Sequence, residues 1–400
     1  MAGNRVVFGV TASIAIYKSL EVISILKKRG FEIRVAMTNE AKRLISPVVF
    51  RALTNNEVYD DVMEEMDIEG TNITHIAFAN WGDVFAIVPA TSNIISKVSC
   101  GIADDPVSLT ALATTSPKVI APAMNTDMYL NPIIQRHVEA LKNLGWLIVE
   151  PVEGDLACER RGIGHIANEE SIADAIESCF YSKTLLGKKV IVTAGPTSES
   201  IDPVRYITNR SSGKMGFALA KMAVYLGAEV TLITGKTCLD TPFNVKRIDC
   251  ESTEDMLHAL TLEIDKNDEL IVIMAAAIAD FKPGRIESKK IKKNGNGVFV
   301  LKLVENPDVT ATINKYAKSE GKKLRIVGFA AETDDLLENA KAKIEKKGLE
   351  FIVANDVKRT DVGFGSDDNE VVIIYRDGRI ERIEKANKLK IAYEILRRLA

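Results

Sequence analysis

The sequence has no uninterrupted apolar stretch long enough to span a bilayer, so a helical membrane protein is not expected. Its first residues lack the charged-then-apolar layout of a signal peptide and run directly into Val6-Val7-Phe8-Gly9-Val10, a short buried-strand pattern. Cysteine is sparse. Cys100, Cys158, Cys179, Cys238 and Cys250 are odd in number, widely spaced and without a Cys-x-x-Cys. Neither a disulfide framework nor a zinc site is expected from that usage, and a reducing cytoplasm fits it. Charge of one sign is also scarce: 52 Lys and Arg against 55 Asp and Glu leave a net −3. No global basic field exists to attract nucleic acid, so an anionic ligand must be held locally, by helix N-termini and single lysines.

What is present is ordinary for a globular protein, 46% hydrophobic and 27% charged residues, in a 400-residue chain too long for one core. Short apolar runs at residues 6–10, 32–37, 84–89, 118–121 and 146–149 alternate with helical patterns such as 13–28. Such alternation predicts a parallel sheet covered on both faces. A helix over 170–182 closes this unit, 183–188 forms a junction, and the pattern restarts near Leu186. Strands are expected at 189–193, 229–234, 270–275, 325–329 and 351–353, with a helix at 214–226. A Lys-, Gly- and Asn-rich excursion at 282–297 interrupts the second unit and precedes a further strand at 298–304. The expected fold class is α/β: two doubly wound, Rossmann-like or flavodoxin-like parallel-sheet domains, 1–185 and 186–400, the second with an inserted flap.

The first strand leads into Gly9-Val10-Thr11-Ala12-Ser13-Ile14-Ala15 and then a helix. Small residues allow a ligand close to the backbone, and a helix N-terminus offers N–H groups to a phosphate; Thr11 and Ser13 alternatively serve only as caps. No G-x-G-x-x-G is present, which argues against a dinucleotide. Pro89-Ala90-Thr91-Ser92-Asn93 puts two hydroxyls and an amide where open α/β sheets bind ligands. These segments stand with His75 in Thr74-His75-Ile76-Ala77, with Pro122-Ala123-Met124-Asn125-Thr126-Asp127-Met128-Tyr129, and with Ala157-Cys158-Glu159 followed by Gly162 and Gly164. The set resembles the homo-oligomeric flavin-containing cysteine decarboxylases, among them the phosphopantothenoylcysteine decarboxylases, with Tyr129 in place of the family's Trp.

That resemblance implies FMN held by Gly9, Thr11, Ser13, Thr38, Thr91, Ser92 and Asn93. It makes His75 the active-site base, whose imidazole takes up and returns a proton near neutrality. Asn125 would bind the substrate carboxylate, and Cys158, on a flap spanning 153–164, would protonate the enethiol left after carbon dioxide departs. By residue type alone, His75 is a surface or satisfied polar group, Asn125 a turn residue and Cys158 a small core residue. His137 and His165 form no metal pattern.

In the second half, Thr193-Ala194-Gly195-Pro196-Thr197 ends a strand, and Asp202-Pro203-Val204-Arg205-Tyr206-Ile207-Thr208-Asn209-Arg210-Ser211-Ser212-Gly213-Lys214-Met215-Gly216 follows. Ser211, Ser212 and Gly213 at a helix start would cradle a phosphate, but Met215 rules out a Walker A loop. With Ala275-Ala276-Ala277-Ile278-Ala279-Asp280, the run Lys289-Lys290-Ile291-Lys292-Lys293, Asn306-Pro307-Asp308, residues 328–333 and Ala354-Asn355-Asp356, the segment resembles the phosphopantothenate–cysteine ligases. By composition a lysine run is a solvated face; its place between two motifs favours an active-site flap.

The ligase resemblance implies activation of 4′-phosphopantothenate by a nucleotide, CTP before ATP, with Mg²⁺ on the phosphates, then amide formation with L-cysteine. Lys290 would neutralise charge growing on the phosphates and Asn209 would hold the acyl group. Ala275, Ala276, Asp280, Lys290, Pro307, Asp308, Val309, Phe329, Lys343 and Lys347 would line the nucleotide site. No metal-ligating residues are assigned. The joint resemblance implies a homo-oligomer, with trimeric decarboxylase and dimeric ligase units in assemblies up to a dodecamer, and no nucleic-acid or membrane partner. Two other readings remain: a flavin-binding regulatory subunit without catalysis, disfavoured by His75, Asn125 and Cys158 together, and a flavoprotein oxidoreductase with a nicotinamide-binding second half.

Overall fold

The computed structural model describes residues 3–63, 70, 73–155, 161–292, 298–332, 343–356 and 366–400. Contacts divide the chain into two compact units, Met1–Ser182 and Lys183–Ala400.

In the first unit the strands are β1 (Arg5–Val10), β2 (Glu32–Met37), β3 (Val58–Tyr59), β4 (Val84–Ala90), β5 (Lys118–Pro122) and β6 (Leu147–Ile148). They form one sheet in the order β3-β2-β1-β4-β5-β6. Every pairing is parallel. All seven residues of β4 are buried, as a central strand covered on both faces requires. The helix Ile16–Lys28 buries Ile16, Ser19, Val22, Ile23 and Leu26, a spacing of three and four that lays one face on the sheet. It starts three residues later than residues 13–28 suggested, because Thr11 and Ser13 close a turn first: Ser13 N–H donates to the Thr11 carbonyl and Ile16 N–H to that of Ser13, each at 3.0 Å. Beyond β6, β7 (Val152–Asp155) and β8 (Arg161–His165) pair as an antiparallel hairpin.

The second unit contains β9 (Lys189–Ala194), β10 (Ser198–Ser200), β11 (Tyr206–Thr208), β12 (Glu229–Thr234), β13 (Val245–Asp249), β14 (Glu269–Met274), β15 (Phe281–Pro283), β16 (Leu303–Glu305), β17 (Lys323–Glu332), β18 (Phe351–Asp356), β19 (Asp368–Tyr375) and β20 (Ile380–Asn387). Its main sheet runs β13-β12-β9-β14-β17-β18-β19-β20. The first six are parallel, whereas β19 and β20 extend the sheet antiparallel. The second sheet is thus largely parallel, as expected, with an antiparallel C-terminal extension that the parallel reading did not include. The strand expected over 298–304 shrinks to Leu303–Glu305, paired with Phe281–Pro283. Val298, Phe299 and Val300 are strongly exposed, so β-propensity there has no ladder to complete. No helix among the described residues is long and apolar enough to cross a membrane.

Candidate active sites

In an open α/β sheet, the loops at the carboxyl edge diverge where the strand order reverses, leaving a crevice. In the first unit that point lies between β1 and β4, and a cavity of about 430 Å³ opens there. Thr11 and Ser13 enter it after β1, Thr38 and Glu40 after β2, Thr91, Ser92 and Asn93 after β4, and Met124 and Met128 after β5. The Thr11 hydroxyl donates to the Pro89 carbonyl at 2.8 Å and accepts from the Thr91 amide at 3.3 Å, tying the two loops together. Thr91 caps the helix Ser92–Cys100 by accepting from Ile94 N–H at 3.4 Å. Ser13 caps no helix; its Oγ accepts from Ala15 N–H at 3.3 Å within the turn, and Ile16–Lys28 starts without a side-chain cap. Asp105 also lines the cavity and is ion-paired with Lys97 at 2.9 Å. Among the described residues the lining offers carboxylates from Glu40 and Asp105 and no side-chain cation, which leaves hydroxyls and backbone N–H groups to receive a phosphate. That donor set fits a flavin mononucleotide at a helix N-terminus.

Gly9 does not reach this cavity. A Cβ there would sit 2.6 Å from Val107 Cγ1, so the glycine admits the helix Pro106–Ala113 against β1. Nor does His75, half-buried near the start of the helix Thr74–Trp81, line it within one chain. Asn125 caps the short helix Thr126–Tyr129, its Oδ1 accepting from Asp127 N–H at 2.8 Å. The β7–β8 hairpin lies directly on this turn. Met124 N–H donates to the Gly164 carbonyl at 3.1 Å, and Cβ atoms at Gly164 and Gly162 would stand 2.3 Å from Met124 O and 2.4 Å from Thr126 Oγ1. Cys158 lies outside the described residues. Tyr129 is buried and donates its hydroxyl to Glu150. Burial and the Glu150 carboxylate both push its phenol upward.

In the second unit the strand order reverses between β9 and β14, and a cavity of about 470 Å³ lies to one side of that point, at the carboxyl ends of β14 and β17. Ala276, Asp280, Pro307, Asp308, Val309, Phe329, Lys343 and Lys347 all line it, together with Gly328 and Asn306. Ala275 and Lys290 do not. Asp308 caps the helix Val309–Ser319 through Ala311 N–H at 3.1 Å and pairs with Lys347 Nζ at 3.0 Å. Burial works to raise its carboxyl, but the Ala311 amide and the Lys347 ammonium outweigh it and hold the group below its ordinary value. Asn209 is exposed, and its Nδ2 donates to the carbonyls of Ala277 at 3.2 Å and Ile278 at 3.1 Å, fixing the loop after β14.

Residues 1–180 match the family model described as Flavoprotein, and residues 185–400 match DFP, the DNA/pantothenate metabolism flavoprotein C-terminal domain. The coenzyme A biosynthesis bifunctional protein CoaBC of Bacillus subtilis (strain 168) is 42% identical over 405 residues, covering 100% of this chain and 98% of its own. The protein chain belongs to the bifunctional coenzyme A biosynthesis family. Its Escherichia coli (strain K12) member is 38% identical over 381 residues, 94% of this chain and 92% of that protein. A crystal structure of the C-terminal domain of a CoaBC protein covers 55% of this chain and 96% of its own, at 37% identity and a TM-score of 0.45.

Within this family member, the second cleft rests on a network in which motif reading caught Thr197, Ala279 and Asn306 but passed over Glu199 and Thr253. Glu199, on β10, accepts from Thr253 N–H at 3.0 Å and from the Thr253 hydroxyl at 2.6 Å. Thr197 Oγ1 accepts from Ala279 N–H at 2.9 Å, and Asn306 Nδ2 donates to the Ala279 carbonyl at 2.9 Å and to Thr253 Oγ1 at 3.2 Å. Four chain segments are thereby locked into one wall beside Asp280. The available signal was Ser252-x-x-Asp255, a capping box that starts the helix Thr253–Asp265 and so places Thr253 at the carboxyl edge of the sheet. Buried Glu199 left no signature.

Proposed function

We propose that residues 186–400 condense 4′-phosphopantothenate with L-cysteine through an acyl-CMP intermediate, converting CTP to CMP and pyrophosphate. Residues 1–185 then decarboxylate the resulting 4′-phospho-N-pantothenoylcysteine to 4′-phosphopantetheine, in a reducing cytoplasm. The observation that carries the reading is the second cleft. Eight residues assigned to a nucleotide from sequence converge on one cavity, in a chain that matches bifunctional relatives over its full length.

In this reading Phe329 and the wall at Ala276 and Asp280 receive the base and ribose, while Lys343 and Lys347 meet the phosphates. Lys347 would exchange Asp308 for phosphate oxygens, an ion already positioned rather than recruited. Lys290 would offset charge developing at the phosphates, and Asn209 would set the loop against which the acyl group lies. Mg²⁺ would be carried on the triphosphate oxygens; among the described residues no group of three or more His, Cys, Asp and Glu side chains is placed to hold a metal ion. In the first unit, FMN when bound supplies the reversible electron acceptance that the decarboxylation needs. Thr11, Thr38, Thr91, Ser92 and Asn93 orient it, Asn125 engages the substrate carboxylate, and Cys158 returns a proton. Because His75 stands away from the cavity of its own chain, a neighbouring copy would supply it, consistent with a homo-oligomer.

The test uses the purified full chain with 4′-phosphopantothenate, Mg²⁺ and either CTP or ATP, following pyrophosphate and the mass of the acyl nucleotide. Release with CTP before cysteine is added, and amide formation after it, is expected. Absence of pyrophosphate with both nucleotides would sink the reading.

A further inference from the structure

The lysine-rich excursion carries exposed Lys289, Lys290 and Lys292 in a stretch without regular structure, so nothing in its own backbone decides which lysine faces the nucleotide. Another segment clamps this stretch. Asp202 is buried, and its Oδ1 accepts from the amides of Val204 at 2.9 Å and Arg205 at 3.0 Å. Its Oδ2 accepts from Arg205 Nε at 3.0 Å, from Arg205 Nη2, and from the Ile291 amide at 3.1 Å. Arg205 Nη2 in turn donates to the Ile291 carbonyl at 2.9 Å. Both backbone polar groups of Ile291, the residue next to Lys290, are thus taken by one ion pair. Four positions earlier, Glu287 N–H donates to the Ile201 carbonyl at 3.0 Å, so the 201–205 turn grips the excursion at two points. The Arg205 guanidinium holds the Asp202 carboxyl far below the carboxylate range, keeping it ionised and accepting at any working pH.

We infer that Asp202 is a positioning residue for nucleotide activation: through Arg205 and the backbone of Ile291 it fixes the register of the flap and so presents Lys290. The inference rests on the role given to Lys290 above. A one-residue slip would break the grip at Ile291 or at Glu287, and a misplacement of about 1 Å is worth up to about 100-fold in rate.

The experiment is a double-mutant cycle in the full chain, reading kcat and the KM for CTP from pyrophosphate release. Asp202→Asn puts an amide where two donors converge, and is expected to lower kcat about 10–100-fold with the KM for CTP unchanged. Arg205→Lys, which removes the guanidinium fork, is expected to do the same and serves if the first variant fails to fold. Combined with Lys290→Gln, either change is expected to add nothing, because the clamp acts only through that lysine. A slow Lys290→Gln beside a wild-type Asp202→Asn, or losses that multiply in the double variant, overturns the clamp alone. A Lys290→Gln protein that releases pyrophosphate at the wild-type rate overturns the role of Lys290 first, and the inference with it.

Discussion

Glu199 keeps its carboxylate buried at the carboxyl edge of the second sheet because Thr253 offers it both an amide and a hydroxyl. Removing the hydroxyl leaves a buried charge short of a donor, so Thr253→Val is expected to cost about 1–3 kcal/mol in urea unfolding of the second unit, and Thr253→Ser much less. A matching loss in both variants would show that the hydroxyl is not the reason. Asp308 gives a pH signature. Its folded carboxyl titrates below the ordinary value of 3.8, so the stability it contributes is fully present above 3.8 and disappears as pH falls through the lowered native value. Acid unfolding of Asp308→Asn is therefore expected to show a shallower pH dependence than the parent below pH 3.8; identical slopes would contradict the assignment. At this scale the sequence exposed the residues that belong to motifs and missed those that only satisfy others. Gly9 was read as room for a ligand, yet its missing side chain makes room for Val107. Glu199 gave no sign because its partner, Thr253, lies far along the chain; Asp202 stood in a motif, but its grip on Ile291 did not show.

Among elements, the β7–β8 hairpin depends on two glycines whose positions cannot carry a side chain. Gly164 has φ +139° and leaves only 2.3 Å between a Cβ and the Met124 carbonyl. Gly164→Ala is expected to lift the hairpin off the Asn125 turn and abolish decarboxylation of supplied substrate while ligation continues; unchanged decarboxylation would remove the hairpin from the site. Strands buried on both faces were legible as apolar runs, as β4 shows. β20 was not, because its alternating exposed pattern of Ile380, Glu381, Arg382 and Ile383 carries too little apolar signal. The opposite error fell at residues 298–304, where an apolar run pairs only through Leu303–Glu305.

For the whole molecule, the chain divides by its contacts into Met1–Ser182 and Lys183–Ala400, and each unit builds its own sheet and core. Separate cavities, at β1/β4 and at β14/β17, then predict chemistry that can be removed from one unit at a time. Assembly was not legible in periodicity, which describes only the faces a chain buries against itself. The most direct measurement compares Cys158→Ser and Lys290→Gln in the folded full chain, following pyrophosphate release with 4′-phosphopantothenate and 4′-phosphopantetheine formation from supplied 4′-phospho-N-pantothenoylcysteine. Cys158→Ser should release pyrophosphate normally and stall before the final product, while Lys290→Gln should do the reverse. Loss of both activities from either single change would contradict two independent sites on one chain.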